Sequence, residues 1–194
     1  MKKLLCVAFA LLASLPFVFS EGKITARAFL PVDFGGTLTS SEPHHSDDYD
    51  TKMGLGLGGE AMVGVWRGLK VGGGVQFGFE RGIDESGMTD MKFAFVPIYG
   101  IAAYGINLAV VNPYAITRLG YNFHVGNSAY EGSDDLTNGV YFTIGAGASF
   151  NVPGWVVKPF AEFNYAYDAG GFDKSDVDIS YKRIQANLGV AFTL

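Results

Sequence analysis

The feature that most constrains this chain is a two-residue alternation of apolar residues with polar or small ones, which recurs from Ile24 onward. In the stretch 179–194, every second residue from Ile184 to Leu194 is apolar, and the residues between them are mostly polar or small. Successive side chains of a β-strand point to opposite faces, so this period indicates strands with one apolar face. The pattern predicts eight strands, at 24–34, 53–65, 69–80, 92–106, 114–124, 140–151, 158–168 and 179–194.

The connections between these strands alternate in length and character. Long polar connections follow the odd strands, at 40–50, 81–90, 126–138 and 169–178, and tight turns follow the even ones. Transmembrane β-barrels have this asymmetry, with short periplasmic turns and longer extracellular loops. Trp66 and Trp155 fall at the short turns, where an aromatic belt would meet the membrane interface. The stretch 92–106 is apolar on both faces, so alternation leaves its register open.

The N-terminus has the composition of a secretory signal. Lys2 and Lys3 precede an apolar stretch that ends in small residues, which predicts a cleaved signal peptide at 1–20 and a barrel domain at 21–194. Cys6 is the only cysteine and lies inside the signal, so we expect a mature chain without thiols, disulfides or Cys-based metal sites. Loss of the two lysines changes the formal charge from −5 to −7, which argues against a nucleic-acid partner.

A soluble eight-stranded barrel would show the same strand count, so the count does not tell a soluble barrel from a membrane barrel. The composition of the two strand faces must distinguish an outer surface in water from one in lipid. The polar face is rich in glycine, for example at 54, 56, 58, 72 and 74, and glycine offers little to a solvated surface. A Lys or Arg facing mid-membrane lipid costs roughly 2–4 kcal/mol. The apolar face has Arg81 and Lys182 only near the long connections. We therefore predict an all-β, eight-stranded, antiparallel up-and-down transmembrane β-barrel.

The charged residues of the strands fall mainly on the face that this fold turns inward. Both signs are present, so they can pair inside the barrel, and Arg183 is expected to pair with Glu60, Glu80 or Glu162. Such a cluster would form a packed polar plug or, as an alternative, a gated passage, since wide aqueous lumens belong to larger barrels. The predicted lumen charge cluster comprises Arg27, Glu60, Lys70, Glu80, Arg118, Glu162 and Arg183.

The last eight residues carry the one short motif of the chain. Asn187, Gly189, Phe192 and Leu194 match the polar, glycine and hydrophobic positions of the C-terminal β-signal that the barrel-assembly machinery binds. With its strand pattern, the chain resembles the small eight-stranded outer-membrane barrels of the OmpA, OmpX and opacity type. The resemblance implies a bacterial outer-membrane location, contact with lipid and lipopolysaccharide, a monomer, and no cofactor.

Three further functions are weighed against a structural or surface-interaction role of the loops, whose partner would be a host or envelope protein. A small pore or hydrophobic-solute channel is the main alternative. The connection at 40–50 carries His44, His45 and three aspartates, but a solvated loop accounts for these without a metal. A lipid-A-modifying enzyme would need a His and a Ser at the rim, and His124 and Ser128 have no acid partner fixed by spacing. We expect no enzymatic activity.

Overall fold

The computed structural model describes residues 23–42, 45–82, 92–125, 136–172 and 177–193, and these residues form eleven β-strands. Within these ranges, no helix is long and apolar enough to cross a membrane. The strands are β1 (Ile24–Glu42), β2 (His45–Thr51), β3 (Gly54–Trp66), β4 (Leu69–Gly78), β5 (Arg81–Gly82), β6 (Lys92–Gly105), β7 (Val111–Val125), β8 (Leu136–Thr137), β9 (Gly139–Phe150), β10 (Val157–Phe172) and β11 (Val177–Thr193).

Eight of these strands form a closed antiparallel barrel. The wall runs β11–β1–β3–β4–β6–β7–β9–β10, and β10 pairs with β11 to complete the circle. The first and last wall strands pair from Thr25 with Thr193 to Ser41 with Asp178. The short strands β2, β5 and β8 extend the wall at the end where the long connections lie, by pairing with β1, β6 and β10. The predicted fold class and the pairing of the two terminal strands are confirmed.

The two faces of the wall are those that the alternation predicts. Large apolar side chains such as Leu119 (63% exposed) and Phe163 (62%) point outward, whereas Arg118 (1%) and Gln185 (0%) are buried inside. Trp66 and Trp155 are exposed at the short turns. An apolar surface that surrounds the molecule is unsuited to water and suited to lipid.

Glycines on the inner face make room for large side chains in a narrow lumen. A Cβ atom on Gly58 would lie 2.2 Å from the ring of Phe29, and one on Gly145 would lie 2.2 Å from Asn164 Oδ1. Gly59, which points outward, has open space at the same position. The lumen of an eight-stranded barrel is just wide enough for its own side chains, so a side chain at Gly58 or Gly145 would displace another.

The first predicted polar connection, 40–50, is largely a β-hairpin. β1 continues to Glu42 and β2 returns alongside it, paired from Gly36 with Thr51 to Glu42 with His45. A bulge between Asp33 and Gly36, with Gly35 at φ 92°, makes this continuation possible. A bulge inserts an extra residue and bends the strand, and glycine adopts positive φ without strain. The alternation did not predict this hairpin, because Leu38 and Tyr49 are the only large hydrophobic residues in the paired stretches from Gly36 to Glu42 and from His45 to Thr51.

The alternation also shifts between β4 and β5. Phe79 and Glu80 are both exposed, and Arg81 is buried inside the barrel. Its guanidinium lies beside the inward positions Gly54 and Gly78, where added Cβ atoms would come within 2.9 Å of Arg81 Cζ and 3.0 Å of its Nη2. The assignment of Arg81 to the outer face was therefore wrong.

Candidate functional site: two charge clusters in the lumen

Four charged side chains meet in the middle of the barrel and form the central cluster, which consists of Arg27, Glu60, Arg118 and Glu162. Arg27 Nη1 lies 3.0 Å from Glu60 Oε2, and its Nη2 lies 2.8 Å from Glu162 Oε2. Arg118 Nε lies 2.7 Å from Glu60 Oε1, and its Nη2 lies 2.7 Å from Glu162 Oε1. Each arginine thus bridges both glutamates, and the four charges cancel in a closed ring.

Neutral polar side chains hold this ring in place. Tyr99 Oη donates to Glu60 Oε1 over 3.1 Å, and Tyr114 Oη donates to Glu162 Oε2 over the same distance. The amides of Asn164 and Asn187 donate to Glu162 Oε1 over 2.8 and 2.9 Å. Buried charges are tolerated when they are paired and when hydrogen bonds satisfy their remaining lone pairs. The central cluster meets the first condition throughout, and it meets the second except at Glu60 Oε2 and Arg118 Nη2, whose contacts are ion pairs without hydrogen-bond geometry.

A second group, the loop-side cluster, consists of Asp33, Arg81, Asp168 and Arg183. Arg183 Nε lies 3.0 Å from Asp33 Oδ1, Arg183 Nη1 pairs with Asp168 Oδ2, and Arg81 Nη1 pairs with Asp33 Oδ2. Gln185 Nε2 also donates to Asp33 Oδ1, over 2.8 Å. This cluster is neutral too, but the ion pairs described for it run as an open chain from Arg81 to Asp168.

The predicted lumen residues do not form one cluster, because they lie in the central cluster, in the loop-side cluster, elsewhere in the lumen and, for Glu80, on the surface. Arg27, Glu60, Arg118 and Glu162 come together in the central cluster, as described above. Lys70 points inward and donates from its Nζ to Thr25 Oγ1 over 3.0 Å, apart from both clusters. The structure differs from the prediction at Glu80, which is exposed. Arg183 pairs with Asp33 and Asp168 instead of the three expected glutamates.

The residues of the assembly motif also have a place in the folded barrel. Asn187 supports Glu162, as described above, and a Cβ atom on Gly189 would lie 2.6 Å from Phe29 Cβ. Phe192 is 41% exposed on the outer face. Leu194 lies outside the described residues. Two motif positions therefore serve the packing of the lumen in addition to any role in assembly.

The lumen also holds buried polar atoms without a hydrogen-bond partner. They include both amide atoms of Asn122, Tyr141 Oη and Thr143 Oγ1. Such groups are uncommon in protein interiors, where the large majority of buried polar atoms are paired. Other atoms of this kind, such as Glu60 Oε2 and Asp168 Oδ1, belong to the charge clusters, so incomplete hydrogen bonding is spread along the lumen.

The other candidates gain no support from the described residues. In those parts of the chain, no three His, Cys, Asp or Glu side chains are grouped as a metal site. His44 and Ser128 lie outside the described residues, as does the predicted signal peptide. His124 belongs to the end of β7, but its side chain lies outside the described part of the structure, so its proposed role stays a prediction.

A closed eight-stranded barrel with an apolar outer surface and a charge-paired lumen defines a class, that of the small transmembrane β-barrels of outer membranes. No protein-family model and no curated protein matches the sequence. The fold is similar to that of Neisserial surface protein A, at 17% identity and a TM-score of 0.52, over 87% of this chain and 99% of that one. It is also similar to the outer membrane protein OprG from Pseudomonas aeruginosa, at 9% identity and a TM-score of 0.62, over 89% and 96%. At these identities the likeness establishes the shared fold.

Proposed function

We propose that this chain is exported by means of a cleaved signal peptide at 1–20 and inserted as a monomer into the bacterial outer membrane. There it would serve a structural or surface-interaction role, without enzymatic activity or a cofactor. The short turns and both termini of the chain would face the periplasm, in keeping with the general asymmetry of such barrels. Assembly would use the C-terminal motif as its signal to the barrel-assembly machinery.

The observation that supports this role is the filling of the lumen by two neutral clusters. Side chains of the central cluster are at most 4% exposed, and each charge has an opposite partner within 3.0 Å. An ion that entered would have to break these pairs or give up most of its own hydration, and both are costly in a narrow lumen. A closed lumen favours a scaffold whose interactions take place at its surface.

The surface that best suits an interaction is the β1–β2 hairpin at the long-loop end. Thr39 Oγ1 donates to Asp48 Oδ1 over 2.7 Å across the hairpin, and Tyr49 Oη donates to Asp47 Oδ2 over 3.5 Å. Binding residues often lie on connections that a rigid scaffold presents. Lipopolysaccharide, or a host or envelope protein, is the class of partner that such a surface would meet.

Recordings in planar bilayers test the closed lumen against the pore alternative. We expect the purified wild-type protein to give no stepwise conductance. A Glu60→Ala/Arg118→Ala double variant removes an opposite pair without leaving a net charge, and should produce conductance steps. The unpartnered atoms of Asn122 and Thr143 are the observation that favours the pore.

The controls separate a closed lumen from a failed preparation. Heat-modifiable migration on gels should show that wild type and double variant are both folded. Lys182→Ala changes an exposed residue outside the lumen and should leave the bilayers silent. Stepwise conductance in folded wild-type protein would contradict the closed lumen and establish the pore. Recovery of the mature protein from the soluble periplasmic fraction would contradict the outer-membrane location.

A further inference from the structure

Two neighbouring turns, at 106–110 and 151–156, form an apolar surface that we call the turn-side ledge. Its large exposed side chains are those of Ile106, Leu108, Val110, Trp155 and Val156, and Val156 is the most exposed of them at 83%. Single apolar residues on a protein surface are common, but a contiguous apolar patch marks a site of contact with another protein or with a membrane. The ledge is therefore a candidate contact surface.

Hydrogen bonds from one residue, Asn151, join the two turns. Its backbone N donates to Val110 O over 2.8 Å, and its side-chain Nδ2 donates to Ala109 O over 3.3 Å. Both acceptors belong to the turn between β6 and β7, whereas Asn151 opens the turn between β9 and β10. The ledge is therefore one connected surface rather than two independent loops.

Backbone donors of the ledge are also paired within each turn. Leu108 N donates to Asn112 Oδ1 over 3.0 Å, and Trp155 N donates to Val152 O over 3.1 Å. A backbone N–H without a partner is costly near the hydrocarbon of a bilayer, because no water is present there to accept its hydrogen bond. These internal bonds lower the cost of placing the turns at the boundary of the hydrocarbon.

The ledge differs in charge from the turn across the barrel. The segments 105–113 and 150–157 contain no Asp, Glu, Lys or Arg. The turn between β3 and β4 exposes Arg67, and Gly64 N donates to Lys23 O over 3.3 Å, which brings the exposed Lys23 close to it. In the strand order, β6 and β7 separate this turn from the β9–β10 turn one way, and β11 and β1 the other way. The turn end thus has an apolar side and, opposite the β9–β10 turn, a side that exposes charges.

The ledge continues the apolar outer wall of the barrel. Val111 and Phe150 are exposed at the start of β7 and the end of β9, where they pair with each other across the two strands. Each is followed or preceded directly by a turn of the ledge. The outer wall of a transmembrane barrel is covered by lipid, and an apolar surface that extends this wall suits the same partner.

We propose that the turn-side ledge is immersed in phospholipid of the leaflet around the short turns, and that the barrel is tilted so that Trp155 lies deeper than Trp66. This inference rests on the proposed insertion of the barrel into the outer membrane. Apolar faces at a membrane surface enter the boundary between headgroups and acyl chains by about 5–10 Å, and tryptophan favours this zone. The exposed charges of Lys23 and Arg67 keep the opposite side nearer to water.

The two tryptophans of the chain report the two sides separately. Trp66→Phe leaves Trp155 as the fluorophore, and Trp155→Phe leaves Trp66. Each folded variant is reconstituted in phosphatidylcholine vesicles, and quenching by lipids brominated at shallow or deep acyl positions gives the depth of its indole. Trp155 should lie deeper than Trp66 by about 5 Å or more. Aqueous iodide should quench Trp66 more strongly than Trp155.

Charges placed on the ledge should remove this difference. In the Trp66→Phe background, Val110→Lys/Val156→Lys should raise Trp155 to about the depth of Trp66, because lysine side chains reach toward water. Asp50→Lys adds a lysine at the opposite end of the barrel and should leave the depth of Trp155 unchanged. Heat-modifiable migration establishes that each variant is folded.

The outcomes separate the ledge from the membrane location. Equal depths of the two tryptophans, or an unchanged Trp155 depth in the double-lysine variant, would overturn the tilt. A Trp155 that is shielded from iodide and from brominated lipid alike would also overturn it, and would indicate a protein partner such as a second copy of the chain. Lipid quenching of Trp66 alone would contradict the ledge only. Lipid quenching of neither tryptophan would contradict the insertion itself.

Discussion

The central and loop-side clusters have the same charge composition, two arginines and two carboxylates, but they are built differently. In the central cluster each arginine bridges both glutamates, so the ion pairs close on themselves. In the loop-side cluster Asp33 lies between Arg81 and Arg183, and Asp168 pairs only with Arg183 among the ion pairs described. A closed ring makes every member depend on every other, whereas an open chain has end members that can be lost more cheaply.

The two clusters also depend on different features of the chain. All four members of the central cluster occupy inward positions that follow from unbroken alternation. The loop-side cluster needs one interruption, the extra residue that turns Arg81 inward, because Asp33 precedes the bulge at Gly35–Gly36 and lies inside by regular alternation. Regular strands therefore build one cluster, and an irregularity completes the other.

The largest effect is expected from Arg118→Met. This change leaves Glu60 and Glu162 with Arg27 as their shared cation, and an uncompensated buried charge costs about 3–5 kcal/mol. Urea titration of folding in micelles would measure the loss. Adding Glu162→Gln restores neutrality and should recover part of the stability. An Arg118→Met barrel as stable as wild type would show that the ring is not interdependent.

A smaller loss is expected from Arg81→Met, at one end of the described chain of ion pairs. The change removes the pair with Asp33 and the hydrogen bond to Tyr181 Oη at 3.3 Å. Asp33 keeps Arg183 Nε at 3.0 Å and Gln185 Nε2 at 2.8 Å, so we expect a loss of about 1.5–3 kcal/mol. The neighbouring Glu80→Gln alters an exposed side chain and should stay within about 0.5 kcal/mol. The same urea titration compares them. If Arg81→Met costs as much as Arg118→Met, the distinction between ring and chain does not hold.

The smallest effect, with the sharpest control, concerns the packing beside the central cluster. Gly58→Ala places a Cβ atom 2.2 Å from the Phe29 ring, and such overpacking costs about 1–3 kcal/mol. Gly59→Ala faces open space and should change the free energy of unfolding by no more than about 0.5–1 kcal/mol, in the stabilising direction. Equal effects of the two substitutions, measured by urea titration, would mean that the lumen accommodates an added methyl group at Gly58 without displacing Phe29.

Much of this fold could be predicted from the sequence because a period of two assigns every residue of a regular strand to a face. Arg27, Glu60, Arg118 and Glu162 all lie inside as predicted. Alternation does not give the height of a residue along the barrel, which depends on how neighbouring strands are staggered. That is why Arg183 was expected to pair with glutamates and is found between two aspartates.

The remaining errors arise where the period is interrupted. A single extra residue reverses the face of everything that follows it, and this happened before Arg81. The paired glycines at 35 and 36 were the available sign of a bulge in β1, since glycine at positive φ is common there. No comparable sign precedes Arg81, because Phe79 and Glu80 continue the alternation in the sequence while both are exposed in the barrel.

The seam between β1 and β11 has a consequence for the order of events in folding. Thr25 pairs with Thr193, so residues from the two ends of the described chain must meet before the last hydrogen bonds can form. Contacts between residues so distant in sequence carry the highest loop-closure entropy and are associated with slow folding. Until they form, β1 and β11 each present an unpaired edge that another chain could join. The interval between synthesis and closure is therefore when this protein is most exposed to aggregation, and a chaperone that shields β-edges would act in that interval.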